Sequence, residues 1–237
     1  MKFKHTAIPT FLFCLSAAAL IVPVNADDKP NQTFAGWMSF TDPDKDCEFR
    51  LTGDKLAITV PAKNHNLHPA RGLNAPRVLK KVSGDFTVQV KVTSDFTPGK
   101  KSTKPGGQGP PFISAGILVW QSEENYLRIE RNAFWADESL PLYCFPPGIE
   151  YWRNRKYGGF NENPTEATYF VGRSTWLKAR RQGPNLTVSL SHDGKEWNEV
   201  KTFPVEMADE VSVGVAAVNS SDAPFTVDFE DFTIESK

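Results

Sequence analysis

The sequence predicts an all-β protein, an antiparallel sandwich of two sheets, and three observations carry that prediction. Short apolar runs alternate with polar residues at period two, turn residues separate them at hairpin spacing, and no stretch sustains a helical period. Phe86, Val88, Val90 and Val92 alternate with Thr87, Gln89 and Lys91. The segment Trp176 to Trp197, WLKARRQGPNLTVSLSHDGKEW, reads as a strand, a tight turn, a second strand and a closing Asp-Gly turn. Asp-Gly supplies a positive φ at little steric cost. Trp197, just past it, is expected to fold back as an apolar lid.

The elements follow in order. Residues 1–26 read as a signal peptide: Lys2, Lys4 and His5 precede an apolar run from Ala7 to Val24, and Val24-Asn25-Ala26 offers a cleavage site. Residues 27–33 read as a disordered leader, and residues 34–237 as the sandwich domain. Residues 47–51 and 56–60 flank Thr-Gly-Asp-Lys as a hairpin. Residues 97–111, rich in Pro, Gly and Lys, read as an exposed, mobile loop. Residues 115–120 and 126–131 form another hairpin. Residues 132–170 are less regular and rich in aromatics, and strands return at 211–218 and 225–234.

Composition narrows the function classes. Loss of Lys2 and Lys4 with the signal peptide takes 27 basic residues to 25 against 28 acidic, a net charge of −3. That balance argues against a nucleic-acid partner, which needs a cationic excess. No second long apolar run follows, so no membrane span is expected after cleavage, and the expected location is secreted or periplasmic. Cys47 and Cys144 remain, offering either a disulfide or two separate buried thiols.

Asn74 to Val92, Ala115 to Arg131, Trp176 to Trp197 and Phe225 to Ile234, taken in that order, resemble an exported concanavalin A-like family of unknown function, of the lectin and glucanase type. Some of its members are named for "regulation of enolase", a role an exported chain would not meet. The resemblance implies a jelly-roll-like sandwich of two curved antiparallel sheets across nearly the whole mature chain. It implies no catalytic signature.

The residues themselves agree on that last point. No nucleophile elbow occurs, and His192 falls in the Asp-Gly turn segment. His65 and His68 have a spacing that suits a metal, but no adjacent cysteine or carboxylate run completes a ligand set, so neither is expected to hold one. Glycosidases need paired carboxylates, and the glucanase pattern E-x-D-x-x-E is absent. Asp228, Glu230 and Asp231 are expected to brace the surface of the last strand, with calcium as the one cofactor they could take.

Strand parity gives the more specific expectation. With Ile117, Val119, Leu127 and Ile129 in the core, Leu118, Trp120, Tyr126, Arg128 and Glu130 share an outer face. With Leu177 and Ala179 inward, Trp176, Lys178 and Arg180 also point out. Indoles that stack on a pyranose, beside charged groups that bind hydroxyls, compose a sugar-binding surface. The expected ligand contacts are Trp120, Tyr126, Arg128, Glu130, Arg131, Trp135, Trp152, Trp176 and Lys178. The sequence therefore predicts an exported, non-catalytic, lectin-like protein whose partner is a carbohydrate or cell-surface glycan. A glycosidase or keto-sugar hydrolase of the same fold, or a structural or assembly module, are the alternatives.

Overall fold

The computed structural model describes residues 33–34, 38–135, 143–153, 156–160 and 172–236. The predicted signal peptide and all of the leader but Thr33 lie outside the described residues. The strands in chain order are β1 (Thr33–Phe34), β2 (Met38–Thr41), β3 (Glu48–Thr52), β4 (Lys55–Val60), β5 (Leu67–His68), β6 (Gly72–Leu73), β7 (Arg77–Ser83), β8 (Phe86–Thr93) and β9 (Phe112–Ser122). They continue as β10 (Asn125–Phe134), β11 (Tyr143–Arg153), β12 (Lys156–Phe160), β13 (Ser174–Gln182), β14 (Asn185–Ser191), β15 (Asn198–Pro204), β16 (Glu210–Asn219) and β17 (Phe225–Ser236). Among the described residues no helix is long and apolar enough to cross a membrane.

Two sheets form the sandwich. The eight-stranded sheet has the order β1-β2-β7-β16-β9-β10-β11-β12, and the seven-stranded sheet has the order β15-β14-β13-β8-β17-β4-β3. Strands adjacent in space are often distant in sequence, as in a jelly roll: β16 sits between β7 and β9, and β8 between β13 and β17. The irregular, aromatic stretch after residue 132 thus contains two further strands, which extend the edge of the first sheet.

The core lies between the sheets, and period-two alternation puts it there. Val88, Val90, Val92, Leu177 and Ala179 of one sheet meet Ile117, Val119, Leu127, Ile129, Val213 and Val215 of the other, all at most 2% exposed. These short β-branched and aliphatic side chains fill the roughly 10 Å between sheets. At the close approach of β16 to β7, Gly214 has no room for a side chain: a Cβ there would meet the carbonyl of Val78.

A second, smaller apolar cluster lies on the outside of the eight-stranded sheet. Leu118, Tyr126, Ala216 and Val218 pack there against Leu67 and Ala75, with Leu73, Leu79, Phe112 and Trp120 around them. The segment from His65 to Ala75, which carries the β5–β6 hairpin, crosses this face and is pinned to it by His65 N to Asn219 O (2.7 Å) and Asn219 N to His65 O (3.0 Å). Antiparallel sheets ordinarily leave one face to water. Here a loop occupies it.

The Pro/Gly/Lys-rich segment expected to be mobile is also tied down. Thr103 N donates to Ser220 O, Lys101 N to Asp222 Oδ1, and the nearly buried Lys104 ammonium to Pro110 O. Its tip, residues 105–110, is exposed as expected.

Candidate functional site

The parity expectation holds, and the single surface built on it does not. Trp120 pairs with Tyr126 and Leu118 with Arg128 on the outer side of the eight-stranded sheet. Trp176 pairs with Lys91 and Lys178 with Gln89 on the outer side of the seven-stranded sheet. The expected contacts therefore fall on opposite faces of the sandwich, because strand alternation fixes which way a side chain points but not which sheet its strand joins.

On the eight-stranded sheet the expected contacts are covered. Arg128 and Glu130 are 3% and 4% exposed, and form a two-pronged ion pair through Arg128 Nε (3.0 Å) and Nη2. Arg128 Nη1 and the Tyr126 hydroxyl both donate to Leu67 O, at 2.9 and 2.8 Å. The crossing loop is thus held by the polar groups expected to bind a ligand. Trp120 is half-buried, stacked on Tyr126 at 4.9 Å and 21°, with the Arg77 guanidinium carbon 4.9 Å from its ring centroid. Arg77 is itself fixed by the carbonyls of Ala75 and Leu73, and burial lowers its pKa while Glu123 opposes that shift.

Arg131 belongs elsewhere. It follows Glu130 by one residue, so it points between the sheets: its guanidinium reaches Thr175 Oγ1 (3.2 Å) and Gly172 O (2.7 Å) and lies 4.5 Å from the Phe96 ring. It pins the β10–β13 junction, and a surface role is excluded by its 2% exposure. Trp135 sits half-buried at the end of β10 with Lys100 Nζ 5.3 Å from its ring. Trp152 occupies the register position opposite Tyr126 on β11, and its side chain lies outside the described residues.

The outer face of the seven-stranded sheet is open at its centre. Trp176, Lys178, Gln89, Lys91, Thr87 and Glu230 are partly exposed, and Arg180 and Glu235 are exposed. The local sequence builds this face around two indoles. Gly194, at φ +75°, turns the chain after Ser191-His192-Asp193. Ser191 Oγ accepts the Gly194 and Asp193 amides, and Asp193 Oδ1 accepts those of Lys195 and Glu196. Those two backbone bonds hold the exposed Asp193 carboxyl below its ordinary pKa. The turn returns Trp197 to Lys178 of β13, its Nε1 donating to Gly194 O at 3.2 Å and its ring half-buried.

Trp176 is fixed from the other side. A bulge between Glu230 and Thr233 puts Asp231 at φ +51° and aims its carboxylate at Trp176 Nε1, 3.2 Å away. Lys91 Nζ lies 5.1 Å from the Trp176 ring and bonds Glu230 at 3.1 Å; Lys178 Nζ lies 3.6 Å from the Trp197 ring. Desolvation, then the neighbouring Arg180, lowers the Lys178 pKa. Two residues further along β13 from Lys178 the face opens into a depression of about 320 Å³ lined by Thr87, Arg180, Gln182 and Glu235 among others.

The acids of the last strand are engaged by lysines: Asp228 by Lys55 at 2.7 Å and Glu230 by Lys91. His192 is an exposed turn residue, and His68 Nδ1 accepts the amide of Ala70.

Cys47 is a free thiol. Cys144, the other cysteine of the mature chain, lies opposite Ala133, which pairs with Ile113, then Asn219, then His65. Four inter-strand steps of about 4.8 Å place it roughly 19 Å from the His65 backbone. Cys47 Sγ lies 4.0 Å from the His65 ring. A disulfide needs Cα atoms within about 7 Å, so these two cysteines cannot pair without refolding the sheet. Burial and the carboxylates of Asp42, Asp46 and Asp44 push the Cys47 thiol up.

Comparison with known proteins places the fold. A family described as "protein of unknown function (DUF1349)" matches residues 161–237. No curated protein matches the chain. A functionally unknown protein from Saccharomyces cerevisiae superposes with a TM-score of 0.63 at 15% identity, over 86% of this chain and 99% of its own. A GH43 protein from Bacillus licheniformis superposes at 0.61 and 16%, over 90% of this chain and 39% of its own. A xylan beta-1,4-xylosidase from Bacillus halodurans superposes at 0.54 and 14%, over 88% and 41%. The chain thus spans about two fifths of the length of those two Bacillus proteins, and the likeness to all three is one of fold.

Proposed function

We propose that the protein is a non-catalytic carbohydrate-binding β-sandwich, secreted or exported to the periplasm, whose contact surface is the outer face of the seven-stranded sheet. One observation carries the reading: two braced, half-exposed indoles, Trp176 and Trp197, stand beside Lys178, Gln89 and Lys91 on a face that leads into a polar depression. An indole offers an apolar plate to the C–H face of a sugar ring, and ammonium, amide and hydroxyl groups beside it bind the ring hydroxyls. The lysines now lying over the rings are partly exposed, and an exposed cation–π contact is worth only about 0.5–1 kcal/mol. They can move aside for a ligand. Arg77, tied by two carbonyls over Trp120, cannot do so as cheaply.

Two similarly folded proteins support the substrate class, one named a xylan beta-1,4-xylosidase and the other a GH43 protein. In each this fold spans only part of the chain, as expected of a module that binds beside a catalytic unit. The test is a glycan array including xylo-oligosaccharides, followed by titration calorimetry on the best ligand. Trp176→Ala and Trp197→Ala are expected to weaken binding at least tenfold, while Trp120→Ala leaves it unchanged. Binding lost in Trp120→Ala and retained in Trp176→Ala would move the site to the opposite sheet. No binding on the array would sink the function.

A further inference from the structure

The structure carries a second candidate site, at the junction of the β2–β3 loop with the segment that crosses the eight-stranded sheet. Asp46, Cys47 and His65 bring one carboxylate oxygen, one sulfur and one ring nitrogen within 4.8 Å of one another. Asp46 Oδ1 is 3.1 Å from His65 Nε2 and 3.9 Å from Cys47 Sγ. A tetrahedral zinc-type ion with bonds of about 2.3 Å to sulfur and about 2.1 Å to nitrogen and oxygen separates its donors by roughly 3.4–3.6 Å. The two separations from Asp46 bracket that spacing, and Cys47 Sγ lies 4.0 Å from the other ring nitrogen, Nδ1.

The histidine supplies an independent reason to expect a ligand. His65 is fully buried, and its Nδ1 lies 3.3 Å from Asn74 O and 4.0 Å from Cys47 Sγ; the carbonyl can only accept, which favours the tautomer with the hydrogen on Nδ1. Nε2 makes no hydrogen bond although Asp46 Oδ1 is near it. A buried imidazole Nε2 that faces a carboxylate without a hydrogen bond, on a ring whose other nitrogen is oriented by a backbone carbonyl, is the arrangement of a metal ligand. Two more buried oxygens of the same junction, Asp42 Oδ1 and Asn64 Oδ1, also lack hydrogen-bond partners, which makes three of the five such side-chain atoms among the described residues. Asp46 and Cys47 are half-exposed, which leaves a path for an ion from solvent.

We propose that Asp46, Cys47 and His65 bind one divalent, thiophilic cation of the zinc class, with water in the fourth position. The donor set argues for this class: sulfur and imidazole favour zinc-type ions, whereas calcium takes oxygen ligands alone. The ion would tie the β2–β3 loop to the segment whose Leu67 carbonyl receives Arg128 and Tyr126, and so fasten the cover of that sheet.

The test uses the full chain, stripped with a chelator and redialysed. Zn²⁺ titration is expected to give one site per chain, and Co²⁺ to give a thiolate-to-metal charge-transfer band. Cys47→Ser and Asp46→Asn, each with an unchanged far-ultraviolet circular dichroism spectrum, are expected to lower Zn²⁺ affinity at least tenfold, and Cys47→Ser to abolish the cobalt band. The proposal is overturned if Zn²⁺ does not bind, if Ca²⁺ binds with Zn²⁺ unable to displace it, or if the folded Cys47→Ser variant binds Zn²⁺ as tightly as the parent. Should both variants fail to fold, the cobalt band of the parent decides alone.

Discussion

Gly194 lies so close to Trp176 that a Cβ added to it would stand 2.7 Å from the indole Nε1 and 2.9 Å from Cδ1. The same glycine has φ +75°, so any side chain there meets both a backbone penalty and the ring. Gly194→Ala is expected to cost about 1–3 kcal/mol, from the left-handed backbone plus displacement of Trp176 from Asp231. Thermal denaturation checks the stability. Trp176 fluorescence should shift as well, since a rise in melting temperature or an unmoved indole would contradict the packing described.

That turn was legible in the sequence because Ser-x-Asp-Gly-x-x-Trp encodes its own hydrogen bonds over seven residues. The core strands were legible for a similar reason: Val88, Val90 and Val92 announce their face by alternation alone. What could not be read was non-local. Nothing in the spacing of Trp120 and Trp176 says that β9 and β13 belong to different sheets, since pairing partners lie as far apart as Leu56 and Phe229. Nor did Arg128 and Glu130 announce that residues 65–75 would bury them, because a charged residue on an outer face reads as solvated until something covers it. His65 was set aside as a metal ligand for want of a neighbouring cysteine, and the fold supplies Cys47 from eighteen positions upstream.

The buried Arg128–Glu130 pair gives a prediction of its own. Removing one member strands the other charge in a site at most 4% exposed, so Glu130→Gln is expected to destabilise by about 3–5 kcal/mol. The double variant Arg128→Met/Glu130→Leu removes both charges and leaves Leu67 O with its bond from Tyr126. It should lose clearly less than the sum of the single changes. Chemical denaturation of the four species measures the coupling, and strict additivity would mean that the two side chains do not depend on each other.

The free state of Cys47 predicts indifference to reductant. Dithiothreitol is expected to leave the melting temperature unchanged, and non-reducing peptide mapping to recover Cys47 and Cys144 unlinked. A linked peptide would require the β10–β11 register to differ from the pairing of Ala133 with Cys144.

Asp193 sets the acid response of the turn beneath Trp197. Its carboxylate accepts the Lys195 and Glu196 amides, which hold its pKa below the ordinary carboxylate range in the folded chain. The sign follows from linkage: a depressed folded pKa contributes stability above the unfolded value, and that contribution fades as pH falls through the folded one. Asp193→Asn keeps an acceptor oxygen and removes the charge, so the gap between the two proteins isolates the charged part of the turn. The parent is expected to melt slightly higher than Asp193→Asn at neutral pH. The gap should close as pH drops below the carboxylate range, because the parent's carboxyl then becomes neutral too. A gap that persists unchanged into acid would show that the amides bind the side chain equally well in either charge state, and that the charge on Asp193 contributes nothing to holding Trp197 in place.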